Sequence, residues 1–190
     1  MSNYLTKRIL DFCLLIPIFC LSFLPIIFIS IFIAISSSGP IIHWSKRIGR
    51  NNKVFLMPKF RTMSINTPDV ATHLLEDKNY ITSVGKILRR MSLDELPQLY
   101  SILKGDMTFV GPRPALHNQI DLINQRTKLN VHLLIPGLTG LAQINGRDEI
   151  EINEKVMLDY QYAKNNSVFI DIKIILLTLK KVFKMKDISH

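Results

Sequence analysis

The sequence predicts an α+β fold that is mostly helical, in which an apolar segment near the N-terminus attaches a small domain to a membrane. Two observations lead to this prediction. Residues 12–35 contain no charged side chain, whereas several later stretches have the spacing of amphipathic helices. One short strand is predicted, over residues 53–60. The chain of 190 residues therefore divides into a membrane element, residues 1–40, and one compact domain, residues 41–190.

Positive charge is concentrated in the first third of the chain. The net charge is +9, and residues 1–68 hold eight Lys and Arg against the single acid Asp11, while the remainder holds sixteen against fourteen acids. Basic residues beside an apolar segment favour an anionic membrane surface over nucleic acid. No RNA- or DNA-binding motif is present, so we expect no nucleic acid partner.

Cysteine and histidine give no sign of a disulfide framework or a zinc site. Cys13 and Cys20 both fall inside the apolar segment, which indicates buried thiols rather than a disulfide framework or a zinc site. The five histidines are scattered, and none has the spacing of metal ligands. We therefore expect all five histidines to have ordinary surface or core roles.

The apolar segment is long enough to cross a membrane, since a helix of about 24 residues reaches ~36 Å and a hydrocarbon core measures ~30 Å. Pro25, with Ser22 nearby, is expected to kink this helix. Positive charges flank both ends, which suits a segment that returns to the side it entered. These residues alone slightly favour a plain span, because spanning helices tolerate proline. A signal peptide is disfavoured, since its apolar core would be shorter.

Asp94 and Glu95 belong to the most informative stretch of the chain. Ser92 precedes Glu95 by three residues and apolar residues follow at helical spacing, which predicts an N-cap with a capping box. Gly105 is the predicted end of this helix. The unpaired N–H groups of a first turn favour ionised carboxylates, so we expect both acids to be charged at neutral pH.

Arginines precede and follow this acid pair. Arg89 and Arg90 lie just before it, and Arg113 follows a strand-like stretch over residues 107–110. An ionised acid pair among arginines suits a divalent cation together with a phosphate ester. A helix-start acid pair with a solvated basic face explains the same residues equally well.

Two further stretches have polar residues placed for binding. Lys59 and Arg61 lie in the basic loop after the predicted strand, where they suit either a nucleotide diphosphate or lipid headgroups. Residues 136–147 contain three glycines together with the polar residues Gln143, Asn145 and Arg147. Such a backbone can approach a ligand closely, although a plain glycine-rich turn is the alternative.

Helices are predicted over residues 81–91, 115–131, 150–164 and 167–185. Asp159, in the third of these, suits an orienting partner for Arg147, a cap or a substrate contact. In the last helix, Lys173, Lys180 and Lys184 share one face of an otherwise apolar element. We expect this helix to lie in the membrane interface rather than to span the membrane.

Several ordered motifs resemble those of one family, the bacterial sugar transferases, small monotopic polyprenyl-phosphate phosphoglycosyl transferases. The motifs are Phe-Arg-Thr-Met at residues 60–63, Ser-Leu-Asp-Glu-Leu-Pro-Gln-Leu at 92–99, Lys-Gly-Asp-Met at 104–107, Gly-Pro-Arg-Pro at 111–114 and Pro-Gly-Leu-Thr-Gly-Leu-Ala-Gln-Ile-Asn-Gly-Arg at 136–147. Leu141 departs from the family pattern, which has Trp there. The resemblance extends over nearly the whole chain.

This resemblance implies an enzyme that transfers a sugar 1-phosphate from a UDP-sugar to polyprenyl (undecaprenyl) phosphate. UMP would be released, and the product would begin the synthesis of a surface glycan. The implied location is the cytoplasmic face of the bacterial inner membrane, with a re-entrant helix hairpin broken at Pro25 beside Ser22. The implied partners are the UDP-sugar, polyprenyl phosphate and membrane lipids. The identity of the sugar, the glycan pathway and the oligomeric state are not predicted.

The resemblance also implies a role for each site residue. Asp94 would be the nucleophile and a ligand of Mg²⁺, the implied cofactor, and Glu95 would steady the site or manage a proton. Arg113 and Arg147 would clamp phosphate oxygens, with help from Arg89. The remaining predicted substrate-binding residues are Lys59, Arg61 and Gln143.

Two other functions fit parts of the sequence. A metal-dependent glycosyltransferase is disfavoured because the chain has no Asp-x-Asp motif, no G-x-G-x-x-G fingerprint and no phosphate loop. A non-catalytic membrane adaptor with a basic surface is the alternative from a different class.

Overall fold

The computed structural model describes residues 4–65, 67, 80–146 and 150–184. Within these ranges the chain forms seven α-helices and four short strands, joined in part by 3-10 turns. In chain order the elements are α1 (Tyr4–Ser36), β1 (Ile42–Ile48), β2 (Val54–Phe60), α2 (Ser83–Arg90), α3 (Leu99–Lys104), β3 (Thr108–Val110), α4 (Ile120–Lys128), β4 (Gly137–Thr139), α5 (Leu141–Asn145), α6 (Ile152–Asn165) and α7 (Val168–Lys184). The predicted class, α+β and mostly helical, is confirmed.

The strands form two separate two-stranded sheets. β1 and β2 are antiparallel, with Ile42 opposite Phe60 and Ile48 opposite Val54. β3 and β4 are parallel, and this pair joins residues that lie about 30 positions apart in the sequence. The strand predicted over residues 53–60 is therefore present as β2. Its partner β1 is not predicted by the sequence.

The main core lies between the β1–β2 hairpin, α3, β3 and α7. Met57, Ile102, Met107, Val110 and Ile174 are all nearly inaccessible to solvent there. Burying a side chain of this size stabilises a fold by about 1.5–3 kcal/mol. This core therefore fixes β3 and α3, the two elements that flank the predicted acid pair and Arg113.

Helix α1 packs one face along the folded domain. Its buried residues are Asp11, Leu15, Ser22, Ile29 and Ile33, and their spacings of four and seven residues place them on one stripe. Leu15 packs in the main core, whereas Ile29 and Ile33 pack in a second cluster. The opposite face of the helix exposes large apolar side chains.

Polar contacts attach the N-terminal end of α1 to the domain. Lys7 Nζ donates to Asp171 Oδ2 at 2.8 Å and to the Tyr162 hydroxyl at 2.7 Å. Asp11 Oδ1 accepts hydrogen bonds from the Thr108 hydroxyl at 2.7 Å and the Phe109 amide at 3.0 Å. Because Asp11 is buried, these bonds fix the start of α1 against β3.

The C-terminal end of α1 is attached to the same domain. Arg61 donates to the carbonyl oxygens of Ser38 at 2.6 Å and Ser37 at 2.7 Å, and Ile33 packs with Phe60. A positively charged side chain at this position satisfies carbonyls that a helix end leaves unpaired. Both ends of α1 therefore contact one folded domain.

Helical geometry continues through Pro25, so α1 is one helix from Tyr4 to Ser36 with Pro17 and Pro25 inside it. The hairpin of two helices broken at Pro25 is not confirmed. The Ser22 hydroxyl donates to the Ile18 carbonyl at 2.7 Å, a bond that is common where helices bend. By length and composition α1 is apolar enough to enter a membrane.

The last helix, α7, has the amphipathic character that the sequence predicts. Asp171 and Ile174 are buried against the domain. Lys173 and Lys180 are exposed among apolar side chains on the outer surface. Those exposed apolar residues are Phe169, Ile172, Leu176, Leu177, Leu179 and Val182.

Candidate active site

Asp94 and Glu95 lie in a 3-10 turn, Leu93–Gln98, that leads directly into α3. The predicted capping box is wrong: Ser92 has φ of 55° and its side chain caps nothing. The side chain of Glu95 instead reaches residues distant in sequence, as described below. The predicted end of the helix is confirmed, because Gly105 is left-handed with φ of 93°.

The Glu95 carboxylate is held by two cations. Arg113 Nη2 donates to Glu95 Oε1 at 2.7 Å, and Lys59 Nζ donates to the same oxygen at 3.1 Å. Glu95 is only 9% exposed, so these are charge-assisted bonds in a partly dehydrated environment. Glu95 therefore holds together one residue from β2 and one from the loop after β3.

The Asp94 carboxylate has different surroundings. Asp94 is 8% exposed, and within the described part of the chain no donor makes a hydrogen bond or a short ion pair with it. Burial raises the pKa of Asp94 above that of an ordinary carboxyl, the charge of Lys59 acts in the opposite direction, and the Glu95 carboxylate raises it further. Arg89 and Arg113 lower the pKa by smaller amounts. Asp94 is thus a poorly solvated carboxyl group, and the charges of Lys59, Arg89 and Arg113 favour its ionised form.

Arg89 joins this group from α2. Its Nε donates to the Thr62 hydroxyl at 2.9 Å, and its charge favours ionised Asp94. α2 begins at the Thr82 N-cap, whose hydroxyl accepts a bond from the Gly85 amide at 2.9 Å. This cap and the Thr62 contact fix the direction in which α2 presents Arg89.

Arg61 does not join the group. Its guanidinium is buried and bonds the carbonyls of Ser37 and Ser38 at the end of α1. The structure therefore gives this predicted substrate-binding residue a different position, at the attachment of the membrane helix. Lys59, two residues earlier and inside β2, is in the group because its Nζ donates to Glu95 Oε1.

The glycine-rich stretch lies against the loop that carries Arg113. The Gly111 amide donates to Thr139 O at 2.8 Å, and the Gly137 amide donates to Pro112 O at 2.9 Å. A Cβ at Gly137 or Gly140 would overlap the backbone of Gly111. These glycines are therefore needed for close contact between two chain segments, rather than for approach to a ligand.

Gln143 and Arg147 have different outcomes. Gln143 lies in α5, half-buried, and neither of its buried side-chain amide atoms has a hydrogen-bond partner among the described residues. Arg147 lies outside the described residues. The parallel pairing of β3 with β4 nevertheless brings the start of this motif beside Gly111, two residues before Arg113.

A second pair of charged residues, Arg126 and Asp159, contacts the main chain of Arg113. Arg126, in α4, bonds Asp159, in α6, through Nε at 3.0 Å and Nη2 at 2.6 Å. Its Nη1 donates to the carbonyl oxygen of Arg113 at 2.7 Å. Burial raises the pKa of Asp159, whereas the Arg126 charge and hydrogen bond lower it. Sequence reasoning missed Arg126, because this residue is one cation in a charged helix without a motif. For Asp159 it considered Arg147 as one possible partner.

The carboxylates of Asp94 and Glu95 suit Mg²⁺ only if substrate phosphates and water complete its coordination. Among the described residues no group of three or more acidic, histidine or cysteine side chains converges on one point. Asp94 has an available carboxylate, while Glu95 is already bonded to Arg113 and Lys59. Mg²⁺ is commonly held by one or two carboxylates together with substrate phosphates and water. The residues present fit that kind of site.

The chain is similar to known proteins over most of its length. The family model described as bacterial sugar transferase matches residues 2–185. The chain is 38% identical over 184 residues to a Bacillus subtilis (strain 168) protein named uncharacterized sugar transferase EpsL, covering 97% of this chain and 90% of that protein.

Two longer relatives have more specific names. An undecaprenyl-phosphate galactose phosphotransferase of Salmonella typhimurium is 37% identical over 77% of this chain and 34% of its own length. An undecaprenyl-phosphate glucose phosphotransferase of Komagataeibacter xylinus is 36% identical over 80% of this chain and 31% of its own length. The chain therefore spans about a third of these two proteins.

An acid pair bonded by cations, on a mostly helical domain with an apolar N-terminal helix, fits an enzyme that associates with a membrane. The chain belongs to the bacterial sugar transferase family. Family membership also favours an enzyme over the alternative of a non-catalytic adaptor.

Proposed function

We propose that this protein transfers a sugar 1-phosphate from a UDP-sugar to polyprenyl (undecaprenyl) phosphate, releasing UMP, as the first membrane-bound step of surface glycan synthesis. The observation that carries the proposal is the Asp94 carboxylate, which is buried and unbonded among the described residues, beside the cations Lys59, Arg89 and Arg113. The names of the Salmonella and Komagataeibacter relatives support the choice of acceptor.

In the first half-reaction, an Asp94 carboxylate oxygen attacks the sugar-bearing phosphorus of the UDP-sugar. An O–P bond forms to Asp94, and the bond from this phosphorus to the bridging oxygen breaks. UMP leaves with the electron pair of that bond, and the sugar phosphate remains on the enzyme as an acyl phosphate. Poor solvation suits Asp94 to this role, because a less hydrated carboxylate needs to lose less water before it attacks.

In the second half-reaction, a phosphate oxygen of the polyprenyl phosphate attacks the same phosphorus. The O–P bond to Asp94 breaks, which restores the carboxylate and produces the lipid diphosphate sugar. Arg113, Arg89 and Lys59 are placed to stabilise charge on the phosphoryl oxygens in both steps. Glu95 positions Arg113 and Lys59 through the bonds described above.

Magnesium is part of this proposal. Asp94 would hold it with diphosphate oxygens, and when bound it neutralises charge that builds up on the leaving phosphate.

We further propose that α1, as one continuous helix bent near Ser22 and Pro25, enters one leaflet without crossing the bilayer, with the domain on the cytoplasmic face. Lys7 and Asp11 bond the domain at one end of α1, and Ser37 and Ser38 bond it at the other. A helix that crossed the bilayer fully would carry its two ends to opposite sides. The Lys and Arg residues that flank the helix favour the cytoplasmic side for both ends.

The identity of the leaving nucleotide tests the reaction. Purified protein in lipid nanodiscs, given Mg²⁺, polyprenyl phosphate and a panel of UDP-sugars, is expected to release UMP with the one or few sugars it accepts. Asp94→Asn should release none, and Asp69→Asn, at an acid outside the site motifs, is the matched control. Release of UDP instead of UMP would exclude phosphosugar transfer.

A further inference from the structure

Three consecutive residues of the loop that carries Arg113 accept hydrogen bonds through their carbonyl groups. Pro112 and Pro114 flank Arg113, and proline has no N–H to donate. The carbonyl of Pro112 accepts from the Gly137 amide at 2.9 Å, and that of Pro114 accepts from Arg47 Nη1 at 3.3 Å. The carbonyl of Arg113 accepts from Arg126 Nη1 at 2.7 Å.

Arg126 links this carbonyl to a buried acid. Its guanidinium is planar, and it bonds Asp159 through Nε and Nη2 while Nη1 bonds Arg113 O. Arg126 is 7% exposed and Asp159 1% exposed. The orientation of the guanidinium is therefore fixed by Asp159, and it fixes the direction of the Arg113 peptide group in turn.

The loop is not packed against other residues on every side. A small cavity adjoins the loop and is lined in part by Pro112, Pro114, Arg126 and His132. Buried ion pairs contribute little net stability compared with apolar pairs of the same size. What the Arg126–Asp159 pair supplies here is a defined position for the Arg113 backbone.

We propose that Arg126 and Asp159 are positioning residues for the transfer reaction: they fix the main chain of Arg113 so that its guanidinium stays on Glu95 and faces the substrate diphosphate. This inference rests on the proposed function. The Arg113 guanidinium lies 2.7 Å from Glu95, and Glu95 is adjacent to Asp94. A displacement of about 1 Å at such a group costs up to about 100-fold in rate.

A double-mutant cycle distinguishes positioning from a general structural role. Arg126→Lys keeps the charge that pairs with Asp159 but loses the planar fork, so kcat/KM for the UDP-sugar should fall at least about tenfold. Arg113→Met should lower kcat/KM further. If Arg126 acts through Arg113, the double variant Arg113→Met with Arg126→Lys should equal Arg113→Met alone.

A second variant protects the test against misfolding. Asp159→Asn is nearly isosteric and still accepts from Arg126, and it should reproduce the loss and the non-additivity in weaker form. Arg50→Met is the matched control, because exposed Arg50 also donates to a carbonyl, Leu133 O at 3.0 Å, away from Glu95. Its kcat/KM should equal that of the unmodified enzyme.

Each outcome decides the question. Losses that multiply in the double variant, or an Arg126→Lys enzyme with unchanged kcat/KM, overturn the positioning role while leaving the proposed reaction intact. An unmodified enzyme that releases no UMP with any UDP-sugar overturns the proposed reaction and this inference with it. Melting temperatures of all variants, measured in the same nanodiscs, separate lost positioning from lost folding.

Discussion

Asp94 and Glu95 are neighbours in the chain but have different surroundings. Arg113 and Lys59 bond Glu95, whereas Asp94 is buried without a bonded donor among the described residues. A buried carboxyl that lacks compensation costs the fold stability when it ionises. This difference is what separates a supporting acid from a reactive one.

The stability of Asp94→Asn follows from this difference. The folded-state pKa of Asp94 is raised above its unfolded value, so ionisation costs stability as pH rises above about 3.9. In metal-free buffer at pH 7, Asp94→Asn should therefore melt at a higher temperature than the unmodified protein while losing turnover. The gain should shrink as pH falls and should vanish below about pH 3.9, where Asp94 becomes protonated in the unfolded state as well as in the folded state.

Thermal unfolding in nanodiscs as a function of pH measures this effect. Asp106→Asn, which loses an exposed ion pair with Lys104, serves as the control and should change the melting temperature little. A lower melting temperature for Asp94→Asn at pH 7 would show that Asp94 makes a stabilising interaction.

At this scale the sequence identified the acid pair but not how it is held. The motif around Asp94 and Glu95 pointed to the site, as did Arg113. The capping box was wrong because Glu95 is bonded to residues 36 and 18 positions away, and local spacing carries no information on such contacts. Arg126 was unrecognised and Asp159 was not paired with it for the same reason, since their interaction exists only after α4 and α6 pack.

At the scale of elements, α1 combines an apolar outer face with a face that packs on the domain. Helical periodicity and length predicted the helix itself, and they also predicted α2, α4, α6 and α7 within a few residues. They did not predict β1, whose pairing with β2 depends on a non-local register. The attachment of both ends of α1 was likewise invisible in the sequence, because it uses Asp171, Thr108 and Arg61 from distant segments.

Accessibility of the two ends of α1 tests its proposed topology. In a background with Cys13 and Cys20 replaced by serine, Thr6→Cys and Ser38→Cys place a thiol at an exposed position near each end. A membrane-impermeable maleimide should label both from the cytoplasmic side of inside-out vesicles and neither from the opposite side of sealed cells. Leu24→Cys, on the exposed face at mid-helix, is the control and should be protected from both sides.

Labelling of the two ends from opposite sides of the membrane would contradict the re-entrant topology. It would also require the contacts of Lys7 or those of Arg61 to be absent in the membrane, since both belong to one folded domain. The proposed transfer chemistry at Asp94 would not depend on that result.

At the scale of the whole molecule, the membrane helix and the site share structural supports. Asp11 bonds Thr108 and Phe109 in β3, and β3 leads within three residues to Arg113. Arg61 bonds the other end of α1 and follows Lys59 on β2 by two residues. An enzyme with a water-soluble donor and a lipid acceptor needs its site at a fixed position relative to the membrane, and these contacts provide such a connection.

In the proposed reaction, Asp94 becomes covalently bonded to the sugar phosphate during each turnover. Intact-protein and peptide mass spectrometry, after exposure to accepted UDP-sugars and Mg²⁺ without the lipid acceptor, tests it most directly. We expect an adduct with the mass of a sugar phosphate on the peptide that contains Asp94. This adduct should disappear when polyprenyl phosphate is added and should be absent in Asp94→Asn. Turnover to UMP with no adduct under rapid quenching, or an adduct on a different residue, would contradict it.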